Sequence, residues 1–146
     1  MNVGTDIFIA ATVSPESLRV AMAHAYGLSE DCVGIRRPGE PWPNMPVIVE
    51  FVANGYAPGD YPTQFLPWGP VDRVDDAAVP ASLAVTFGVP VLTAGDSYDP
   101  TEQMLFLPDG SAHRVSVDQD DDGGIRNTPE MQRLIATARA ALTQAA

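Results

Sequence analysis

Three aspartates near the end of the chain have the spacing of a calcium-binding loop. Asp118, Asp120 and Asp122 alternate along the chain, and a glycine follows directly. Hard oxygen ligands at alternate positions can converge on one cation, and the glycine allows the sharp turn that such a loop needs. The twelfth position, which should supply a bidentate carboxylate, is Pro129, and Glu130 comes one residue late. A cation site formed by these aspartates and Glu130 is therefore an alternative prediction, and a solvated acidic turn is the preferred one.

The residue types that nucleophilic catalysis requires are sparse. The chain has two histidines and one cysteine. The pattern places His24 on the polar side of a helix and His113 on the apolar face of a strand. Two acids precede Cys32 and disfavour its thiolate. No nucleophile-elbow or phosphate-loop motif is present in the sequence. One cysteine and two separated histidines are also too few to complete the coordination of a zinc ion without several carboxylates. We therefore predict no catalytic residue, no metal, no cofactor and no enzymatic activity.

The charge of the chain points to a basic partner. The chain has nineteen acidic residues, eight arginines and no lysine, and its formal net charge is −11. This charge argues against nucleic acid and against an anionic membrane as partners, whereas a complementary potential speeds association with a basic protein. Most of the negative charge falls within residues 72–130. The predicted acidic part of the partner-binding surface comprises Asp72, Asp75, Asp76, Asp96, Asp99, Asp120, Asp121 and Asp122.

Aromatic residues in the loops could anchor such a partner. Trp42 and Trp68 both lie in proline-rich stretches, and Tyr98 lies in a polar loop. Rigid loops present large rings at low entropic cost, which suits an interface. For Trp42 a ring that folds back onto the core is an equally good prediction, and for Trp68 the core is preferred. Trp42 and Tyr98 are therefore the predicted anchors.

Local signals predict the elements that must position these residues. Ser14 and Pro15 begin a helix that Gly27 ends. Thr128 caps a C-terminal helix whose apolar stripe begins at Met131. Strands are predicted at 6–13, 46–52, 63–68 and 89–93, and Asp109-Gly110 joins 104–107 and 113–117 into a hairpin.

Residues 79–88 fit either a strand or a short helix, and the Pro80 start and Gly88 stop favour the helix. Pro80-Ala-Ser-Leu also repeats Pro15-Glu-Ser-Leu, which suggests a duplicated helix-plus-strands unit. We expect one α+β domain over residues 1–146. Its sheet should be mostly antiparallel, with two or three helices packed on one face.

Segments 87–100 and 104–118, together with Tyr26-Gly27-Leu28, resemble small acidic immunity proteins of bacterial polymorphic toxin systems, including contact-dependent and type VI effectors. The resemblance covers the outer two-thirds of the chain and carries over no functional residue. It implies a non-enzymatic cytoplasmic protein that binds and neutralises one cognate toxin, often a basic one. No basic stretch precedes the short apolar run 7–11, and no apolar run has the length of a membrane span. We therefore expect neither a signal peptide nor a membrane partner.

Overall fold

Helices and short strands alternate along residues 1–94, 99 and 101–145, which a computed structural model of the chain describes. The helices in these ranges are α1 (Pro15–Tyr26), α2 (Ala78–Phe87) and α3 (Pro129–Ala145). The strands are β1 (Asn2–Val3), β2 (Ile7–Ile9), β3 (Val33–Arg36), β4 (Val47–Asn54), β5 (Thr63–Gly69), β6 (Val91–Ala94), β7 (Glu102–Phe106), β8 (Ala112–Ser116), β9 (Asp118–Gln119) and β10 (Ile125–Arg126).

Most strands join one mixed sheet. Its order is β3-β4-β5-β2-β6-β7-β8, and β1 pairs with β5 beside this path. The β3–β4 pair is parallel, and the other pairs are antiparallel. The predicted α+β class with a mostly antiparallel sheet is confirmed.

Apolar side chains cover both faces of this sheet. Ile7 and Val91 pack in one hydrophobic cluster with α1 and α2. Their neighbours Phe8 and Leu92, which point the opposite way along the same strands, pack in a second cluster with α3. The prediction that all helices share one face is therefore wrong. The physical reason is that β6 and β7 carry large apolar residues at consecutive positions, so both faces of these strands must be covered.

The helix predicted for residues 79–88 is confirmed as α2. Like α1, it ends at a glycine in the left-handed conformation, with φ of 68° at Gly27 and 66° at Gly88. Three strands of the main sheet follow each of α1 and α2, but α1 leads into the parallel β3–β4 pair and α2 into antiparallel pairs. The repeat therefore extends to helix ends and element order and not to strand pairing. Across the described ranges, none of the helices is long and apolar enough to cross a membrane.

Candidate protein-binding surface

Residues 70–77, which we call the acidic loop, connect β5 to α2. Buried Val74 anchors this loop, and its amide closes a turn by donating to the carbonyl of Pro70 at 2.9 Å. The Thr5 amide donates to Asp75 Oδ1 at 2.9 Å. The loop lies so close to Gly4 that a Cβ there would come within 2.5 Å of the Val74 carbonyl oxygen. The acidic loop is therefore fixed against the short connection between β1 and β2.

Negative charge in the acidic loop is only partly balanced. Asp76 Oδ1 accepts from the Ala78 amide at 2.9 Å, and its Oδ2 lies 3.6 Å from Arg73 Nε. Arg73 also donates to the Tyr26 carbonyl at 3.3 Å and lies over the Tyr26 ring, so it is held inward. Asp72 and Asp75 are exposed, and neither forms an ion pair with the residues that the structure describes. The loop therefore presents carboxylates that are free for a cationic partner.

A groove of about 430 Å³ runs beside the acidic loop. It lies between the loop, the first turn of α2 and the α1/α2 face of β6, β7 and β8. Asp75 and Asp76 form one wall, and Arg114 of β8 lies on the opposite wall, 3.2 Å from Glu102. The floor is apolar and consists of Ile7, Val79, Met104 and Phe106. An apolar floor with a few convergent polar groups is typical of binding sites.

Thr93 is a buried polar residue that lines this groove. It is 8% exposed, and its partners across the sheet are Ile7 and Met104. That register places its side chain on the α1/α2 face, where the groove lies. Its hydroxyl has no hydrogen-bond partner in the described part of the chain. The sequence analysis missed both Thr93 and Arg114, because only the strand order brings them beside Asp75.

The aspartates at 120–122 lie elsewhere. They form the turn between β9 and β10, where Asp122 Oδ1 accepts from the Gly124 amide at 3.0 Å. Asp120 accepts from Arg126, whose guanidinium also lies 3.7 Å from Asp60. Ile125 of this hairpin packs in the α3 cluster. The predicted acidic surface is therefore divided between the two faces of the sheet.

The same hairpin bears on the calcium alternative. Asp118 lies in β9 and Glu130 in the first turn of α3, and both are exposed. Within the described ranges, no group of three or more His, Cys, Asp or Glu side chains could hold a metal ion. Asp120 and Asp122 are engaged by Arg126 and by a backbone amide. The described residues give the alternative set of Asp118, Asp120, Asp122 and Glu130 no geometric support.

Asp99 lies at the same end of the sheet as the acidic loop. The strands β5 and β6 are both antiparallel to β2, so the loops that follow them leave from one end. Hydrogen bonds from the Thr101 hydroxyl and amide, at 2.7 and 2.9 Å, lower the pKa of the Asp99 carboxyl. The predicted site residues Asp96 and Tyr98 are in the same connection and lie outside the described residues.

Trp42 is half exposed and belongs to a group of four contacting side chains. We call this group, Arg36, Trp42, Glu50 and Trp68, the aromatic cluster. The two indole rings meet edge to face with centroids 5.0 Å apart, and the Arg36 guanidinium lies 4.2 Å from the Trp42 ring centre. Glu50 accepts from Arg36 and, at 3.0 Å, from Trp68 Nε1. Trp42 is thus an exposed ring on a rigid base, as the anchor prediction requires.

The prediction that Trp68 belongs to the core is wrong. Along β5 the buried residues are Thr63, Phe65, Pro67 and Gly69, so Trp68 points to the opposite face and is only partly buried. The proline-rich loop 37–46 folds over that face, where a Cβ at Gly34 would lie 2.8 Å from Pro43 Cγ.

The sequence analysis did not identify Arg36 and Glu50 as residues of this site. They are direct partners in the parallel β3–β4 register, so the contact depends on a pairing that the chain order does not indicate.

Comparison of the chain with protein-family models, with curated proteins and with solved structures finds no match.

Proposed function

We propose that this chain is a non-enzymatic immunity protein that binds and neutralises a cognate basic bacterial toxin in the cytoplasm. The observation that carries the proposal is the acidic loop, which presents the exposed carboxylates of Asp72 and Asp75 beside an apolar-floored groove. A net charge of −11 supports a basic partner, because complementary potentials raise association rates. The toxin-neutralising role is supported by the resemblance to immunity proteins.

The binding face that we propose is the one with the acidic loop. Its carboxylates adjoin apolar surface that a partner can bury, and burial of apolar surface supplies most of the affinity of an interface. The β9–β10 hairpin is the weaker candidate, since Arg126 already compensates Asp120 there. Trp42, which is half exposed on the α3 side of the sheet, is a second anchor for a partner that reaches around the end of the sheet.

Matched variants test the proposal. The loop variant carries D72N, D75N and D76N, and the hairpin variant carries D118N, D121N and D122N. Both lower the negative charge by three. Asparagine keeps an acceptor oxygen for the Thr5, Ala78 and Gly124 amides that the replaced carboxylates bind. Wild type and both variants are immobilised, exposed to lysate of the source organism, washed and eluted with high salt, and the eluted proteins are identified.

The proposal predicts one stoichiometric basic protein on wild type and on the hairpin variant, with at least about tenfold less on the loop variant. Expression of that protein alone should arrest growth, and co-expression of wild type should restore it. Equal capture by all three proteins would contradict the assignment of the face. Failure to capture a basic protein, or capture of one that is harmless to cells, would contradict the proposed function.

A further inference from the structure

We infer that the groove beside the acidic loop binds the side chain of an arginine on the basic partner. The inference rests on the proposed function, because it names the chemical group that the partner would place in this site. It commits to an arginine because the groove combines a carboxylate wall, a free hydroxyl and an apolar floor. These three features match the charged, planar head and the aliphatic stem of one side chain.

The carboxylate wall retains acceptor capacity. Asp75 uses Oδ1 for the Thr5 amide, and within the described residues its Oδ2 accepts no hydrogen bond. Asp76 uses Oδ1 for the Ala78 amide, and Arg73 approaches its Oδ2 only to 3.6 Å. A guanidinium has five donors in a fixed fork and pairs with carboxylates through two parallel hydrogen bonds. Asp75 Oδ2 is thus available to one of these donors, and Asp76 Oδ2, which Arg73 only approaches, adds negative charge beside it.

Thr93 is the independent observation that points to a ligand. Thr93 is only 8% exposed, lines the groove and forms no side-chain hydrogen bond within the described ranges. Its hydroxyl is not among the side-chain atoms that are shielded from solvent without a partner, so it is open to a ligand in the groove. A ligand that donates to the Thr93 hydroxyl would satisfy it. An arginine with its head at the Asp75 wall has donors to spare for this hydroxyl.

The remaining charges around the groove do not exclude a cation. Arg114 is the basic residue on the far wall, and Glu102 lies 3.2 Å from its guanidinium. Arg73 is held by the Tyr26 carbonyl and ring. Four carboxylates near the groove outnumber these two arginines, so the net charge of the site stays negative. They are Asp72, Asp75, Asp76 and Glu102. Met104 and Phe106 on the floor provide the apolar surface against which the methylene stem can pack.

The test uses N-acetyl-arginine methylamide as the probe and its citrulline analogue as the uncharged control. Both are titrated into the 15N-labelled full chain, and amide shifts are followed by NMR. For one side chain we expect saturable binding with a dissociation constant of about 1–10 mM. The largest shifts should fall on Thr5, Thr93 and Arg114. The citrulline probe should bind at least about tenfold more weakly, because charge-assisted bonds are about twice as strong as neutral ones.

Three variants sharpen the result. The D75N/D76N chain should lose at least about tenfold in affinity for the arginine probe, and D121N/D122N should be unchanged. T93V should bind the probe severalfold more weakly, whereas T93S should bind it like wild type. A T93V chain that folds and binds the probe as well as wild type does would show that the hydroxyl has no part in binding and would overturn the inference.

Other outcomes also decide it. Absence of saturable shifts up to about 50 mM probe, equal binding of the citrulline probe, or shifts centred on the β9–β10 hairpin would each overturn the inference. If the probe binds as expected and no basic protein is captured, the groove stands and the proposed function fails. If a toxin is captured through the acidic loop and the probe does not bind, the proposed function stands and the arginine site fails.

Discussion

Glu50 holds the aromatic cluster together, and its removal should destabilise the fold more than an ordinary surface change would. In wild type one carboxylate oxygen accepts from Trp68 Nε1 and the other pairs with Arg36. The side chains of Arg36 and Glu50 are only 17% and 18% exposed. The change E50A would leave a largely buried guanidinium without its counter-ion and an indole N–H without its acceptor.

The magnitude follows from these two lost contacts. Hydrogen bonds to charged groups contribute about 1.5–3 kcal/mol, and removal of one partner of a buried ion pair costs about 3–5 kcal/mol. Because this pair keeps some access to water, we expect the free energy of unfolding to fall by about 3 kcal/mol in E50A. That corresponds to a melting temperature lower by roughly 6–12 °C for a chain of this size. E50Q keeps an acceptor for Trp68 and should lose only about 1–2 kcal/mol.

Urea unfolding followed by tryptophan fluorescence is the assay. The chain has two tryptophans, and both are in the aromatic cluster, so the signal reports on this site directly. The denaturant slope should stay unchanged, since the surface exposed on unfolding is the same. The matched control is E130A at an exposed position in the first turn of α3, which should cost less than about 1 kcal/mol. Equal losses in E50A and E130A would refute the reasoning.

Two further predictions concern the acidic loop and a tyrosine that packs beneath it. G4A should lower stability by about 1–3 kcal/mol and weaken partner binding, because its Cβ would lie 2.5 Å from the Val74 carbonyl oxygen. G69A is the control, since the nearest atom is 3.7 Å from its Cβ, and equal effects of the two changes would contradict the account. Burial raises the pKa of Tyr26 to about 12, so the unfolded chain loses this proton first as the pH rises above about 10. Wild type should therefore lose roughly 1–2 kcal/mol more stability than Y26F between pH 10 and pH 12, after allowance for solvent screening. If urea unfolding gave the same pH dependence of the free energy of unfolding for wild type and Y26F, the prediction for Tyr26 would be contradicted.

Elements with strong local signals could be predicted from the sequence. Ser14 accepts from the Ser17 amide at 3.0 Å, and Thr128 accepts from the Met131 amide at 3.3 Å, as their capping positions suggested. The Asp109-Gly110 turn is also where the pattern placed it, with the Ser111 amide donating to the Asp109 side chain at 3.0 Å. Caps and tight turns depend on residues within a few positions of one another, so their chemistry is visible in a short stretch of sequence.

Features that depend on distant pairing could not be predicted in the same way. The face that α3 covers follows from the order of β6, β7 and β8. The contact between Arg36 and Glu50 follows from a parallel pair joined by a proline-rich loop. The groove likewise needs β2, β6 and β7 side by side before Thr93 and Asp75 can line one cavity. The sequence contained one overlooked signal in β5, where Phe65 and Trp68 have opposite parity and so cannot share a face.

The most direct test of the central claim is the association rate of the captured partner, measured by stopped flow across a range of salt concentrations. The account predicts that D72N/D75N/D76N lowers the rate constant at least about tenfold at low salt and flattens its salt dependence. D118N/D121N/D122N, with the same net charge, should lower the rate constant less than about threefold. Equal rate constants and equal salt dependence in the two variants would contradict the claim that the acidic loop steers a basic partner to this face.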